Sequence, residues 1–177
     1  MPKQYDKHYF DRWYRGRRRV HGEGELRRKV ALAVSIAEYF HRRPLRSVLD
    51  VGCGEGSWFV HLKELRPRLH YLGVDPSEYT AAEFGRERNI KRAAFGELAT
   101  LGIDRQFDLV VCSDVMHYLD DREIRSGLPE VVRLCGGVAF FEVLTADDDI
   151  IGDLQDLIRR PAAWYRRLFT KAGLRPT

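Results

Sequence analysis

Two short apolar runs constrain this chain more than any other feature. Val48-Leu49-Asp50-Val51 leads into Gly52-Cys53-Gly54-Glu55-Gly56, and a second run, Tyr71-Leu72-Gly73-Val74, ends in Asp75-Pro76. Brief Val- and Leu-rich runs stopped by Gly or Pro predict buried strands. Strands that stay apolar on both faces belong to parallel sheets covered by helices. One strand then ends in a glycine turn and the other in an acid, at the edge of the sheet where open α/β folds bind ligands. Glycines let backbone approach a ligand closely, and a carboxylate accepts from two ribose hydroxyls. Together they predict a nucleoside site.

Strand-type and helix-type segments alternate around this pair. Tyr5, Tyr9, Phe10, Trp13 and Tyr14 predict a short helix with an aromatic face over residues 5–14, and residues 15–24 read as a basic loop. Leu26, Val30, Ala33, Ala37 and Phe40 give helical periodicity over residues 25–41, with Pro44 after the stop. Strands are expected at 47–51, 70–74, 91–95, 107–112 and 137–144, the third of them weak. Helices are expected at 55–66, at 77–88 with Ser77 as N-cap, and at 121–135 with Asp120 and Glu123 as a capping box and Pro129 as a kink. Two more are expected at 148–159 and 162–172, the last capped by Gly173. Strands separated by helices mean βαβ units with right-handed crossovers, and hence an α/β fold.

Bulk properties narrow the class. The 177 residues suit one domain, and 44% hydrophobic content supports a core. No apolar stretch reaches the roughly eighteen residues of a membrane span. Residues 1–6 lack the apolar core of a secretory signal. Cys53, Cys112 and Cys135 are odd in number and form no C-x-x-C pair, which argues against disulfides or a metal site and for the cytoplasm. Charge is uneven: residues 1–43 hold 12 Lys+Arg against 5 Asp+Glu, and the remainder holds 18 against 21. Such a front end either attracts phosphate and nucleic acid or forms a solvated arginine-rich surface.

Glycine spacing decides between nucleosides. The pattern is G-x-G-x-G at 52, 54 and 56, whereas the dinucleotide fingerprint needs a third glycine where Ser57 stands. Asp50 before the turn and Glu55 within it would repel a pyrophosphate but suit an ammonium or sulfonium. On these residues, Leu49–Gly56 resembles motif I of the class I S-adenosylmethionine-dependent methyltransferases of small-molecule type. Tyr71–Ser77 resembles their second motif, Phe95-Gly96-Glu97-Leu98 the segment that meets the adenine, Phe107–Leu119 the fourth strand and its loop, and Gly136–Glu142 the fifth strand. The likeness covers roughly residues 45–145, with an N-terminal lid over 1–43 and C-terminal helices over 146–177 in the same single domain.

The resemblance implies a Rossmann-like, mainly parallel sheet of order 3-2-1-4-5 with helices on both faces. It implies S-adenosyl-L-methionine as cofactor, S-adenosyl-L-homocysteine as its product and a small-molecule oxygen, nitrogen or carbon acceptor. Asp50, Gly52, Cys53, Gly54 and Gly56 would shape the methionine end, Asp75 and Pro76 the ribose, Glu97 and Leu98 the adenine, and Ser113 the loop beside the methyl. Tyr5 or Tyr9 would close the lid with Trp13 behind, aromatic faces being favourable to a sulfonium. In-line transfer from an activated donor needs alignment, water exclusion and proton removal. His117 is the first general-base candidate and Asp114 the second, while His117 also suits a structural hydrogen bond. Asp147, Asp148 and Asp149 suit either a pocket rim or a helix N-terminus. The loop Ser113–Tyr118 lacks the D/N-P-P-Y/F pattern of base-amine enzymes, and there is no Pro-Cys nucleophile.

The C-terminal antiparallel strand pair of the family is not expected, since the chain reaches Ala172–Thr177 where that pair would begin. Either the chain is truncated there or it dispenses with the pair, leaving the fifth strand as an open edge for a homodimer partner or the C-terminal helices. Two alternatives remain. One is an RNA or protein methyltransferase gripping its partner through Arg15–Arg19. The other is a noncatalytic cofactor-binding subunit.

Overall fold

The computed structural model describes residues 3–15, 22–149 and 153–176. Helix α1 (Lys7–Phe10) continues into a π-turn (Asp11–Arg15), and α2 (Glu23–His41) leads into β1 (Ser47–Val51). Then follow α3 (Ser57–Leu65), β2 (His70–Asp75), α4 (Glu78–Arg88), β3 (Ile90–Arg92) and a 3-10 segment (Phe95–Leu101). The second half holds β4 (Phe107–Ser113), a 3-10 turn (Met116–Tyr118), α5 (Asp121–Leu134), β5 (Cys135–Glu142) and α6 (Ala162–Lys171). Every strand pairing is parallel, and the order is β3-β2-β1-β4-β5.

The strands read apolar throughout because both faces are buried. Val48, Tyr71, Leu109 and Val111 point to the side covered by α2 and α3, where they meet Val30, Ala37, Trp58 and Leu62. Leu49, Val51, Leu72, Val74 and Val110 point to the other side, toward Leu98, Ile124, Val131 and Tyr165. Side chains alternate along a strand, so a single apolar run supplies both cores. Capping follows the expected chemistry: Ser77 Oγ accepts from the Thr80 N–H at 3.1 Å, and Asp120 Oδ1 from the Glu123 N–H at 2.7 Å. Pro129 is accommodated inside α5, and Gly173 follows α6 at φ +93°.

Some boundaries differ. The third strand is shorter and earlier than expected, because the chain turns into the 3-10 segment at Phe95. β5 runs over 135–142 rather than 137–144. The expected helix at 148–159 is not formed by its described part: residues 153–159 are irregular, and 150–152 lie outside the described residues. Asp148 shows why, since its carboxylate accepts from the Thr145 N–H at 2.7 Å and ties a local turn instead of starting a helix. Among the described residues no strand lies outside β5, although Phe169 of α6 stacks on Phe141 at 4.5 Å. No described helix is long and apolar enough to cross a membrane.

One carboxylate sits inside the sheet. Asp50 on β1 is 2% exposed, and its Oδ2 accepts the Tyr71 hydroxyl at 2.7 Å. Burial pushes its pKa up to about 7, against the pull of that hydrogen bond. The folded chain therefore keeps a proton that the unfolded chain releases near pH 4. Stability falls as pH rises from about 4 to 7 and stays reduced above. Asp50→Asn retains an acceptor for Tyr71 and abolishes this titration. Its melting temperature is expected to exceed the parent's at about pH 8, by the equivalent of up to roughly 3 kcal/mol, with the gap closing near pH 4. A second constraint lies where α5 crosses the 3-10 segment: a Cβ on Gly127 would stand 2.7 Å from the Phe95 carbonyl carbon. Gly127→Ala is expected to cost about 2 kcal/mol in urea unfolding.

Candidate functional site

The site starts from the glycine turn. Gly52, Gly54 and Gly56 have φ of +75°, +53° and +76°, a region that side-chain-bearing residues rarely enter. The Gly52 and Cys53 N–H groups donate to the Val74 carbonyl at 2.7 and 3.2 Å, tying the turn to β2. Asp75, 7% exposed, then accepts from the Gly54 N–H through Oδ2 at 2.8 Å and from the Ser77 N–H through Oδ1 at 2.9 Å. Burial raises its pKa while these two N–H groups lower it. The Thr80 hydroxyl reaches Oδ1 as well, at 3.5 Å, so Oδ2, bonded only to the Gly54 N–H among the described residues, keeps an acceptor position toward the cavity.

Two cavities meet at this turn. The first, about 290 Å³, is lined by Asp75, Pro76, Ala94, Phe95, Glu123 and the tyrosines Tyr5, Tyr9 and Tyr118, among others. The second, about 380 Å³, is lined by Lys29, Asp50, Cys53, Glu55, Ser57 and Ser113, among others. Tyr14, Gly52, Gly54 and Asp114 border both. The turn thus stands between a compartment walled largely by aromatic rings and a charged compartment.

The structure places most of the expected residues on these walls. Asp75, Pro76, Tyr5 and Tyr9 face the first cavity, and Asp50, Cys53 and Ser113 the second. Asp114 stands between them at φ +59°, a backbone conformation uncommon for a residue other than glycine, with its N–H bonded to the Glu142 carbonyl at 3.1 Å. Gly56 lines neither cavity and instead forms the N-cap position of α3. Leu98, 0% exposed, belongs to the core. Glu97 is exposed, and its carboxylate turns back to accept from the Ala94 N–H at 3.2 Å. The acid that does reach the nucleoside compartment is Glu123 on α5, beside Phe95. Burial raises its pKa while the Gly96 N–H bonded to it pulls down. In the sequence Glu123 reads only as a capping-box partner of Asp120, so nothing there distinguished its second position.

His117 lines neither cavity. It is 1% exposed, its Nδ1 accepts from the Leu144 N–H at 3.2 Å, and its Nε2 has no partner among the described residues. Burial lowers its pKa to about 4, so the ring is neutral at neutral pH. The 3-10 turn buries His117 and delivers Tyr118 to the cavity in its place. Lys29 is the residue that sequence reasoning passed over, because it lies within the apolar periodicity of α2. Its Nζ is 2.6 Å from Glu142 Oε2 and 3.9 Å from Asp114 Oδ2, and the Ser113 hydroxyl donates to the same Glu142 oxygen.

The aromatic segment does cover the site. Ser77 Oγ donates to the Tyr5 carbonyl at 2.5 Å, and Tyr5 and Tyr9 meet edge to face at 5.1 Å. Phe10, not Trp13, packs behind: it is 2% exposed, and its ring lies where a Cβ on Gly54 would stand 3.1 Å from Cε1. Trp13 carries the Arg12 guanidinium at 4.9 Å instead. Arg15 pairs with Asp11 and Glu55, while the rest of the arginine run, 16–21, lies outside the described residues. Asp147, Asp148 and Asp149 are exposed and line neither cavity.

Known proteins share this architecture. The sugar N-methyltransferase KedS8 from a Streptoalloteichus species superimposes with a TM-score of 0.70 at 22% identity, over 93% of this chain and 83% of that one. An uncharacterized protein of Rickettsia prowazekii is 31% identical over 132 residues, covering 69% of this chain and 51% of that protein. A tRNA U34 carboxymethyltransferase of Nautilia profundicola is 27% identical over 115 residues, covering 59% and 36%. The chain thus spans about half or less of these two relatives. The family model described as a methyltransferase domain matches residues 49–137, from the third residue of β1 into β5, and the chain belongs to that methyltransferase family.

Proposed function

We propose that this chain transfers a methyl group from S-adenosyl-L-methionine to a small-molecule acceptor. One observation carries the reading: the pair of cavities joined at Gly52, Gly54 and Asp114, with Asp75 on one side and Lys29 on the other. Asp75 would hold the ribose, and Phe95, Ala94 and Glu123 would border the base. The second compartment carries charges of both signs, Lys29 and Asp114 among them, as a zwitterionic amino-acid end requires. When bound, the sulfonium would supply a methyl group already activated for displacement. The chain itself has to align the acceptor and exclude water, which the tyrosine-bearing segment at 5–14 does by covering the cavity. His117, buried away from both cavities, fits a role in fixing the turn that presents Tyr118. Asp114 remains the acid placed to receive a proton. The relative from Nautilia profundicola is named for a tRNA substrate. The described arginine here, Arg15, is taken up by Asp11 and Glu55, which favours the small-molecule reading.

Titration calorimetry tests the donor. Binding of S-adenosyl-L-methionine and its demethylated product is expected, and absence of both would overturn the proposal. Asp75→Ala is expected to weaken donor binding by about 30-fold, the worth of hydrogen bonds to a charged group. Glu123→Ala is expected to weaken it by about fivefold. Glu97→Ala should leave donor affinity unchanged and cost about 1 kcal/mol of stability through the lost cap. The reverse ranking of Glu97 and Glu123 would return the adenine contact to the 3-10 segment.

A further inference from the structure

A second recognition element adjoins the first cavity. The Lys3 ammonium lies 3.7 Å from the centroid of the Tyr118 ring and 5.3 and 5.2 Å from those of Tyr5 and Tyr9. It pairs with Asp153 Oδ2 at 2.5 Å, and both side chains are almost wholly buried, at 6% and 9% exposure. The box is held from outside by two further bonds: the Tyr118 hydroxyl donates to the Asp153 carbonyl at 2.9 Å, and the Gln155 N–H to Asp153 Oδ1 at 3.0 Å. Lys3 Nζ also reaches the Gln155 carbonyl at 3.4 Å. Three π faces and one buried carboxylate around a single position are the chemistry that recognises an alkylammonium. All three tyrosines also line the first cavity, so the box shares a wall with it.

We propose that Tyr5, Tyr9, Tyr118 and Asp153 form an ammonium-binding box for a cationic acceptor molecule, occupied by Lys3 until that molecule arrives. The proposal rests on the methyl-transfer reading for the word acceptor, and on the box geometry alone for the binding. The box stabilises the charged form of an amine, and a protonated amine has no lone pair with which to attack a methyl group. The ammonium held there is therefore a handle, and the reacting atom of the same molecule lies elsewhere, toward Asp114 and the glycine turn. Lys3 belongs to the segment that carries Tyr5 and Tyr9. Withdrawal of the Lys3 side chain alone empties the box and leaves Tyr5, Tyr9, Tyr118 and Asp153 in place around it.

The test uses n-butylammonium chloride as probe, with 1-butanol as the neutral control of the same length, and no methyl donor. Lys3→Ala is expected to bind n-butylammonium about tenfold more tightly than the parent chain, to ignore 1-butanol, and to lose the binding on further substitution Asp153→Asn. In the parent chain, saturating n-butylammonium is expected to move the Lys3 ε-methylene NMR signal toward its free-lysine position, a readout that needs no variant to fold. Equal affinity in the parent and in Lys3→Ala, equal binding of 1-butanol, or an unmoved Lys3 signal would overturn the proposal and leave Lys3 as a fixed latch on the lid. Because no donor is present, such a failure leaves the methyl-transfer reading standing. Failed donor binding with a responsive box would separate the two in the other direction.

Discussion

The Asp75 carboxylate is the joint on which the site depends. It stands at the end of β2, and its two oxygens reach different elements: Oδ2 takes the Gly54 N–H of the turn after β1, and Oδ1 takes the Ser77 N–H at the start of α4. Three elements are thereby fixed relative to one another by a single side chain. Ser77, so placed, caps α4 through Oγ and gives its hydroxyl proton to the Tyr5 carbonyl of the covering segment. Turn, helix and lid are thus assembled around one acid buried in the sheet edge. Placing such a group out of water costs free energy unless its oxygens are hydrogen-bonded, and the paired N–H groups meet that demand.

Much of this was legible from residue type and spacing. β1 was readable to the residue because five buried positions in a row have no alternation to misplace, and Gly52 closes the run. The Ser77 and Asp120 caps were readable because their side chains act within three residues of themselves. What sequence could not show was side-chain direction over long separations. Glu97 and Glu123 are both acids near a helix start, and only the crossing of α5 over the 3-10 segment at Gly127 brings Glu123 to the cavity wall. His117 and Tyr118 are neighbours in a 3-10 turn, where one residue of rotation decides between burial and exposure to the cavity. Trp13 does not pack behind the tyrosines as expected, and Phe10 does, since a π-helical turn follows α1 and shifts the aromatic periodicity. The described part of the segment 148–159 is not helical, and the Asp148 carboxylate is turned back to the Thr145 N–H.

The two compartments differ in what they can recognise. The first is walled by rings and backbone, with the three acids Asp75, Asp114 and Glu123 on its lining. The other side is crossed by Lys29, Glu142, Asp114 and Ser113, whose charges hold one another in register across α2, β4 and β5. All four side chains are partly exposed, and their mutual contacts link α2, β4 and β5 at this wall. The N-terminal segment covers the junction from outside, with Tyr5 and Tyr9 on the first cavity and Tyr14 bordering both.

Asp50 gives the second compartment an internal reporter of charge. Its carboxyl lies on that wall, and its pKa near 7 means that small changes in local potential alter whether it holds a proton. A positive ligand nearby favours the ionised form and expels the proton. A neutral one lets it return. Any change of potential at the glycine turn therefore alters the proton content of β1, the strand that leads into that turn.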